Sequence, residues 1–184
     1  MKYDFGTISE RDMDMLFLNA FGTDKGFLKL FIEKTDLPKG DYTVSEVYLS
    51  KADKDGESDI TLIIECSGKK YGLLIEDKID AIAMPEQPER YVKRGNRGIK
   101  NGDYDKFFSF IVCPEKYYKN NDAAKKYDYE VMYEEIRTYF SKKTDPASAI
   151  YFQQISQAID KAKRPPKVEI NANARVYFGK TLHV

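Results

Sequence analysis

Two β-rich runs separated by a short polar turn, Ile60 to Cys66 and Tyr71 to Ile79 around Ser67-Gly68-Lys69-Lys70, constrain this 184-residue chain more than any other feature. Their apolar, β-branched character and the glycine-bearing turn predict an antiparallel hairpin. The second run is apolar from Gly72 to Ile75 and then meets three consecutive charges, Glu76, Asp77 and Lys78. Side chains alternate faces along a strand, so Glu76 and Lys78 project together while Asp77 points the other way. With the turn centred between Gly68 and Lys69, Asp59 falls directly opposite Lys78 and diagonal to Glu76, within reach of a shared cation. A slip of one residue would move Asp59 to the wrong face.

Around this hairpin the pattern is mostly helical. Ser9 and Asp12 have capping-box spacing, and Met13, Leu16, Phe17, Ala20 and Phe21 recur at helical intervals, predicting a helix from Ser9 to Phe21. The helical pattern resumes over Phe27 to Ile32 and stops at Pro38-Lys39-Gly40. Tyr42, Val44, Val47 and Leu49 suggest a strand with irregular alternation, and the polar run Lys51 to Ser58 reads as a loop. Pro85 opens a helix that Gly95 and Gly98 are expected to close. Phe107 to Val112 has the continuous apolar character of a buried strand. Two more helical stretches, Tyr133 to Phe140 and Ala147 to Lys161, flank Asp145-Pro146. The expected organisation is one α/β domain over residues 1–163, with 164–184 a tail or the start of a further segment that includes a strand-like piece, Ala174 to Phe178.

Composition narrows the chemistry. Hydrophobic residues make up 42% and charged residues 33%, enough for a soluble globular core. No apolar stretch has the length of a signal peptide or membrane span, so a cytoplasmic protein with no membrane partner is expected. Cys66 and Cys113 lie in apolar runs without metal-ligand spacing, which predicts reduced core thiols. The one histidine, His183, is next to last, so a hydrolytic site here must be built from carboxylates and lysine. Thirty basic and thirty acidic residues cancel, so any polyanion must be held by a local patch. Asp59 and Glu76, with the backbone carbonyl of Asp77, form a hard oxygen donor set suited to Mg²⁺ or Mn²⁺. Lys78 beside them would complement a phosphate or hold an attacking water. Residue types alone fit a solvated cross-strand ion pair equally well, one worth less than about 1 kcal/mol. The tyrosines and lysines between residues 115 and 135 suggest base stacking, but half-buried aromatic packing is the better reading.

The ordered set of Asp59, then Glu76-Asp77-Lys78 after a strand, then Gln87-Pro88-Glu89-Arg90-Tyr91, resembles the D…(D/E)xK and QxxxY motifs of the exonuclease-like branch of the PD-(D/E)xK nuclease superfamily. Gly56-Glu57-Ser58-Asp59, Leu74 to Ala81 and the opening Glu10-Arg11-Asp12-Met13-Asp14 helix are similar to an uncharacterised bacterial group within it, so the resemblance spans about residues 8 to 98. It implies a restriction-endonuclease-like core, a mixed sheet of four or more strands flanked by helices. Asp59 and Glu76 would bind Mg²⁺ or Mn²⁺, with Lys78 as the catalytic lysine, Gln87 as an assisting catalytic residue, and Gln87 and Tyr91 together orienting substrate or the active site. A carboxylate from the first helix would join the metal, and spacing leaves Asp14 and Glu10 both open. Ser58 stands where the superfamily's leading proline would be. Tyr91, Arg90, Lys93, Arg94 and Arg97 are the expected nucleic-acid contacts. The partner implied is nucleic acid, with DNA the expected polymer and defence or repair the natural context; a homodimer stays open. The rival readings are a catalytically silent nuclease-fold module that binds nucleic acid, and a protein-interaction subunit.

Overall fold

The structure is a computed structural model that describes residues 3, 5–53 and 56–165. A five-stranded sheet runs in the order β1-β2-β3-β4-β5, with β1 (Thr43–Asp53), β2 (Gly56–Cys66), β3 (Lys69–Asp77), β4 (Lys106–Cys113) and β5 (Tyr129–Met132). β1 pairs with β2, and β2 with β3, antiparallel, whereas β4 joins β3, and β5 joins β4, in parallel. Parallel neighbours need a crossover connection. Helix α3 (Gln87–Asn101) supplies it between β3 and β4; α4 (Glu115–Asn120) and a 3-10 turn over Asp122–Lys126 supply it between β4 and β5. The expected architecture, a mixed α/β sheet flanked by helices, is the one observed.

Each face of the sheet buries a different set of helices. Ile60, Leu62, Ile64, Leu73 and Ile75 join a large core with α1 (Glu10–Thr23), α2 (Lys25–Ile32), α5 (Tyr133–Ser141) and α6 (Pro146–Lys163). Residues one step out of phase, Ile63 and Leu74, pack under Tyr91 of α3 and Tyr104. Glu76 and Asp59 share this second phase, so α3 lies over the same face as the expected site. Ser9 caps α1 through a full capping box with Asp12, as its spacing predicts. No helix among the described residues is long and apolar enough to cross a membrane. The strand-like piece Ala174 to Phe178 and His183 lie outside the described residues.

Three expectations are corrected and a fourth is explained. The Lys51–Ser58 run is not a loop: β1 continues to Asp53 and β2 begins at Gly56, with Lys51 opposite Ser58. Ladder pairing carries the two strands past the point where hydrophobicity gives out. The irregular alternation of β1 has a physical cause, a one-residue bulge between Val44 and Glu46. The hairpin turn is Ser67-Gly68 alone, both at positive φ (51° and 76°), as a two-residue turn matched to strand twist requires. Finally, Gly95 and Gly98 do not end α3. The helix stops at Gly102 (φ 79°), while Gly95 and Gly98 let the helix approach aromatic rings: a Cβ would sit 2.2 Å from the Phe107 ring at Gly95 and 2.1 Å from the Tyr104 hydroxyl at Gly98.

Close packing there makes a contrast testable. Gly95→Ala should destabilise the protein by about 1–3 kcal/mol through overpacking. Gly22→Ala, in α1 with nothing within 4 Å of the added methyl, should instead stabilise it by about 0.5–1 kcal/mol. Urea midpoints of the two variants decide it, and equal effects would refute the packing role of Gly95.

Candidate active site

The turn fixes the register, and the register places the carboxylates. Pairs such as Ile60 with Ile75 and Cys66 with Lys69 put Asp59 opposite Glu76, not opposite Lys78 as a turn centred one residue later would have it. That correction moves Asp59 by two residues along its partner strand, a full pleat, so the face is preserved. The signal was available in the sequence: Gly at the second position of a two-residue turn favours the tighter hairpin. Asp59 Oδ2 accepts the backbone N–H of Asp77 at 2.8 Å, which ties the two strand ends together.

Glu76 is 1% exposed and all its oxygens are engaged. Gln87 Nε2 donates to Oε1 at 2.5 Å, the Tyr91 hydroxyl donates to Oε2 at 2.6 Å, and Lys78 Nζ makes a direct ion pair with Oε1. Helix α3 presents Gln87 and Tyr91 on one face because they stand four residues apart. The expected association of Gln87 with the site is therefore present as a hydrogen bond to Glu76. Tyr91 is a correction as a nucleic-acid contact, since it is fully buried beneath α3 and its ring has no surface to offer; its hydrogen bond to Glu76 agrees with the other expectation, that it orients the site. Arg90 is half-buried and donates to the Pro85 carbonyl at 3.1 Å, while Lys93 is exposed and Arg97 half-buried. Arg94 is buried under the helix, its guanidinium 4.5 Å from the centre of the Tyr91 ring and donating to the Glu57 carbonyl.

Lys78 is 8% exposed, which removes the solvated ion pair as an account of this hairpin. Its ammonium lies 3.9 Å from Asp59 Oδ2 and 3.7 Å from Glu10 Oε2, and donates to the Asp77 carbonyl at 3.1 Å. Glu10 is thus the α1 carboxylate that reaches the strand ends, and its Oε1 also accepts the Ile79 N–H at 2.9 Å. Asp14, one turn along α1, is buried with Oδ1 lacking a hydrogen-bond partner. Asp77 points to the opposite face, where Tyr133 donates to Oδ1 at 2.6 Å and Oδ2 is left unpartnered. Sequence reasoning missed Tyr133 altogether, because a contact spanning 56 residues leaves no local pattern.

The electrostatics follow from burial and crowding. Carboxylates that each lie within 4 Å of one ammonium are at most about 8 Å apart, where like charges repel by about 2 kcal/mol at an effective dielectric near 20. Burial, then the neighbouring Glu76 charge, raises the Asp59 carboxyl to about 7, despite Lys78. Burial likewise raises Asp14 to about 6 and holds Asp77 well above the carboxylate range. Burial works against the Lys78 charge, but Glu76, Glu10 and Asp59 outweigh it and the net shift is upward. One cation faces several anions. Among the described residues no three acidic, histidine or cysteine side chains are spaced as a ready metal cage. The reason is geometric, since the Lys78 ammonium itself sits among Glu10, Asp59 and Glu76. The donor chemistry still fits a hard divalent ion, with two carboxylates from adjacent strands, the Asp77 carbonyl beside them and an excess of negative charge.

Both cysteines are free and buried, and burial pushes the Cys113 thiol upward, as expected of core residues. The aromatic cluster also behaves as packing: Tyr127 meets Tyr91 edge-on at 5.3 Å, and Tyr129 packs on Phe108 and Phe110.

No family model matches the chain, and no curated protein sequence matches it. Among solved structures, the small subunit of the heterodimeric restriction endonuclease R.BspD6I aligns with a TM-score of 0.32 and 11% identity, over 83% of this chain and 93% of that one. So loose a likeness assigns neither fold nor function.

Asp59 gives the site a pH signature. Its carboxyl rises from 3.8 when unfolded to about 7 when folded, so between these values the folded state holds the extra proton. This contribution to stability is therefore fully present below about 4 and is lost as pH rises through about 4 to 7, in the same direction as that of Asp14. In metal-free buffer at pH 8, Asp59→Asn should be more stable than the native protein by about 2 kcal/mol, roughly half the full linkage value because Asp59 keeps some solvent. At pH 4 the two should coincide. Urea midpoints across that range measure it, and parallel curves for the two proteins would rule it out.

Proposed function

We propose that this chain is a Mg²⁺- or Mn²⁺-dependent phosphodiesterase that hydrolyses nucleic acid, with DNA the expected polymer. The observation that carries the reading is the uncompensated charge at the ends of β2 and β3: Glu10, Asp59 and Glu76 share one buried ammonium. Keeping such a group in a folded protein is costly unless the charges bind something. Asp59, Glu76 and the Asp77 carbonyl are the groups that would hold the divalent ion. When bound, the ion would polarise the phosphate and make its water more acidic.

The chain's own residues then divide the remaining work. Gln87 and Tyr91 keep Glu76 in one orientation, so its oxygens need not reorganise during reaction. Lys78, released from part of its pairing once a divalent ion neutralises the carboxylates, offers its ammonium to a phosphate oxygen or orients the attacking water. Asp59 would release its proton as the ion binds, because a neutral carboxylic acid is a poor ligand. Arg90, Lys93 and Arg97 on α3 would make sequence-independent contacts to phosphates. A second reading, a silent module that binds without cutting, draws on the direct Lys78–Glu76 ion pair, which already neutralises part of the site.

Incubation with plasmid and single-stranded DNA in Mg²⁺ or Mn²⁺ separates the two readings. Lys78→Ala should lower cleavage by about 10²- to 10⁴-fold. It should also lower stability, because Glu76 loses its buried counter-ion. Asp59→Asn should lose the metal-induced rise in thermal midpoint, a stabilisation of about 2.7 kcal/mol when the ion is present at a hundredfold excess over its Kd. Full Mg²⁺-dependent cleavage by Lys78→Ala would overturn the assigned role, and absence of cleavage by the native protein under all these conditions would favour the silent module.

A further inference from the structure

A cavity of about 130 Å³ lies under the C-terminal half of α3, beside the carboxylate–lysine centre and separate from it. Ser58 and Thr61, which line it, bracket Asp59 on β2, and Thr61 stands two residues from Asp59 on the same face. That spacing along a strand is about 7 Å. Its charge is positive, since Lys51, Arg94 and Arg97 line it with Asp103 as the acidic member, and Asp103 is 3.8 Å from Lys51.

Arg94 is the informative residue. It is 7% exposed, its Nη1 donates to the Glu57 carbonyl, and its Nη2 is buried with no hydrogen-bond partner. A buried guanidinium N–H without an acceptor loses its water and gains nothing in return. Stacking on Tyr91, 4.5 Å below, fixes the guanidinium plane but satisfies none of its N–H groups. The group is held in place, charged and short of an acceptor, at the wall of a cavity with a cationic lining.

We propose that this cavity is an oxyanion subsite in which the Arg94 guanidinium takes a phosphate of a nucleic-acid strand, next to the phosphate at the carboxylate–lysine centre. A planar fork of donors suits a phosphate better than a single ammonium does. Because Arg94 stacks on the tyrosine that holds Glu76, filling the subsite also fixes the helix face that orients the centre. The assignment of the phosphate to a polynucleotide rests on the phosphodiesterase reading; the anion site itself does not.

The test uses the whole chain in EDTA, so no cleavage is needed. Inorganic phosphate, titrated at constant ionic strength, should raise the thermal midpoint of the native protein and of Lys78→Ala but not that of Arg94→Gln. Binding of a single-stranded oligonucleotide should show a salt dependence shallower by about 0.7 in Arg94→Gln, the loss of one phosphate contact. Should Arg94→Gln fold poorly, Asn101→Asp places an acid at the exposed rim of the cavity without burying anything. That variant should keep the native midpoint and bind the oligonucleotide several-fold more weakly. Equal phosphate stabilisation of native protein and Arg94→Gln, no stabilisation of either, or native binding by Asn101→Asp would each overturn the subsite. Phosphate stabilisation that depends on Arg94 in a protein that never cleaves DNA would leave the subsite standing and remove the phosphodiesterase reading.

Discussion

The ion pair between Lys78 and Glu76 is the contact on which the site depends, and its strength comes from what surrounds it. A buried pair on its own gains little, since desolvation cancels most of its Coulomb energy. Here Gln87 and Tyr91 fill the remaining acceptor positions of Glu76, and the Asp77 carbonyl takes another proton of Lys78. The clamp joins β3 to the first two turns of α3, so the crossover helix required by the parallel β3–β4 pairing is also the scaffold of the site. Fold and candidate chemistry therefore share the same hydrogen bonds, and a change in either disturbs the other.

Much of this was legible because local rules are strong where the chain is short-range. The capping box at Ser9, the hairpin runs and the apolar β4 segment each follow from patterns within a few residues of one another. Faces followed as well: strand period two puts Glu76 and Lys78 together, and helix period 3.6 puts Gln87 and Tyr91 together. What failed was set by tertiary contact. Gly95 and Gly98 look like helix stops until Phe107 and Tyr104 are seen against them. The resemblance to QxxxY marked Tyr91 for the site, but whether its ring meets solvent or Glu76 is decided by the sheet beneath. The choice between Asp14 and Glu10 was beyond spacing, since both lie on one side of α1; the position of the helix end relative to Lys78 decides for Glu10 as the closer partner.

Strand β3 ends with charges on both faces, and the two faces are treated differently. Glu76 and Lys78 project toward α3 into a network with a cation at its centre. Asp77 projects the other way, among Tyr133 and the α1 carboxylates, with one oxygen unpartnered and its acid form favoured by burial. Replacing the charged groups together by packed apolar side chains would cost the fold little, because the surrounding core is already apolar on both sides, whereas removing one partner alone strands a buried charge. Their presence is therefore a concession of stability, concentrated at one end of two strands, which is how functional sites commonly differ from the rest of a domain.

The distribution of charge completes the argument. With a formal net charge of zero, the molecule as a whole neither attracts nor repels a polyanion. Locally, Glu10, Asp59 and Glu76 are gathered at the strand ends around Lys78, whereas α3 carries Lys93 and Lys100 in solvent and Arg90 and Arg97 half-buried. A polyanion approaching an acidic centre alone would be repelled. On the proposed reading, a divalent ion held by these carboxylates would reverse the sign of the field at the centre. Affinity for a strand and for the ion would then be coupled, because each would neutralise the charge that opposes the other.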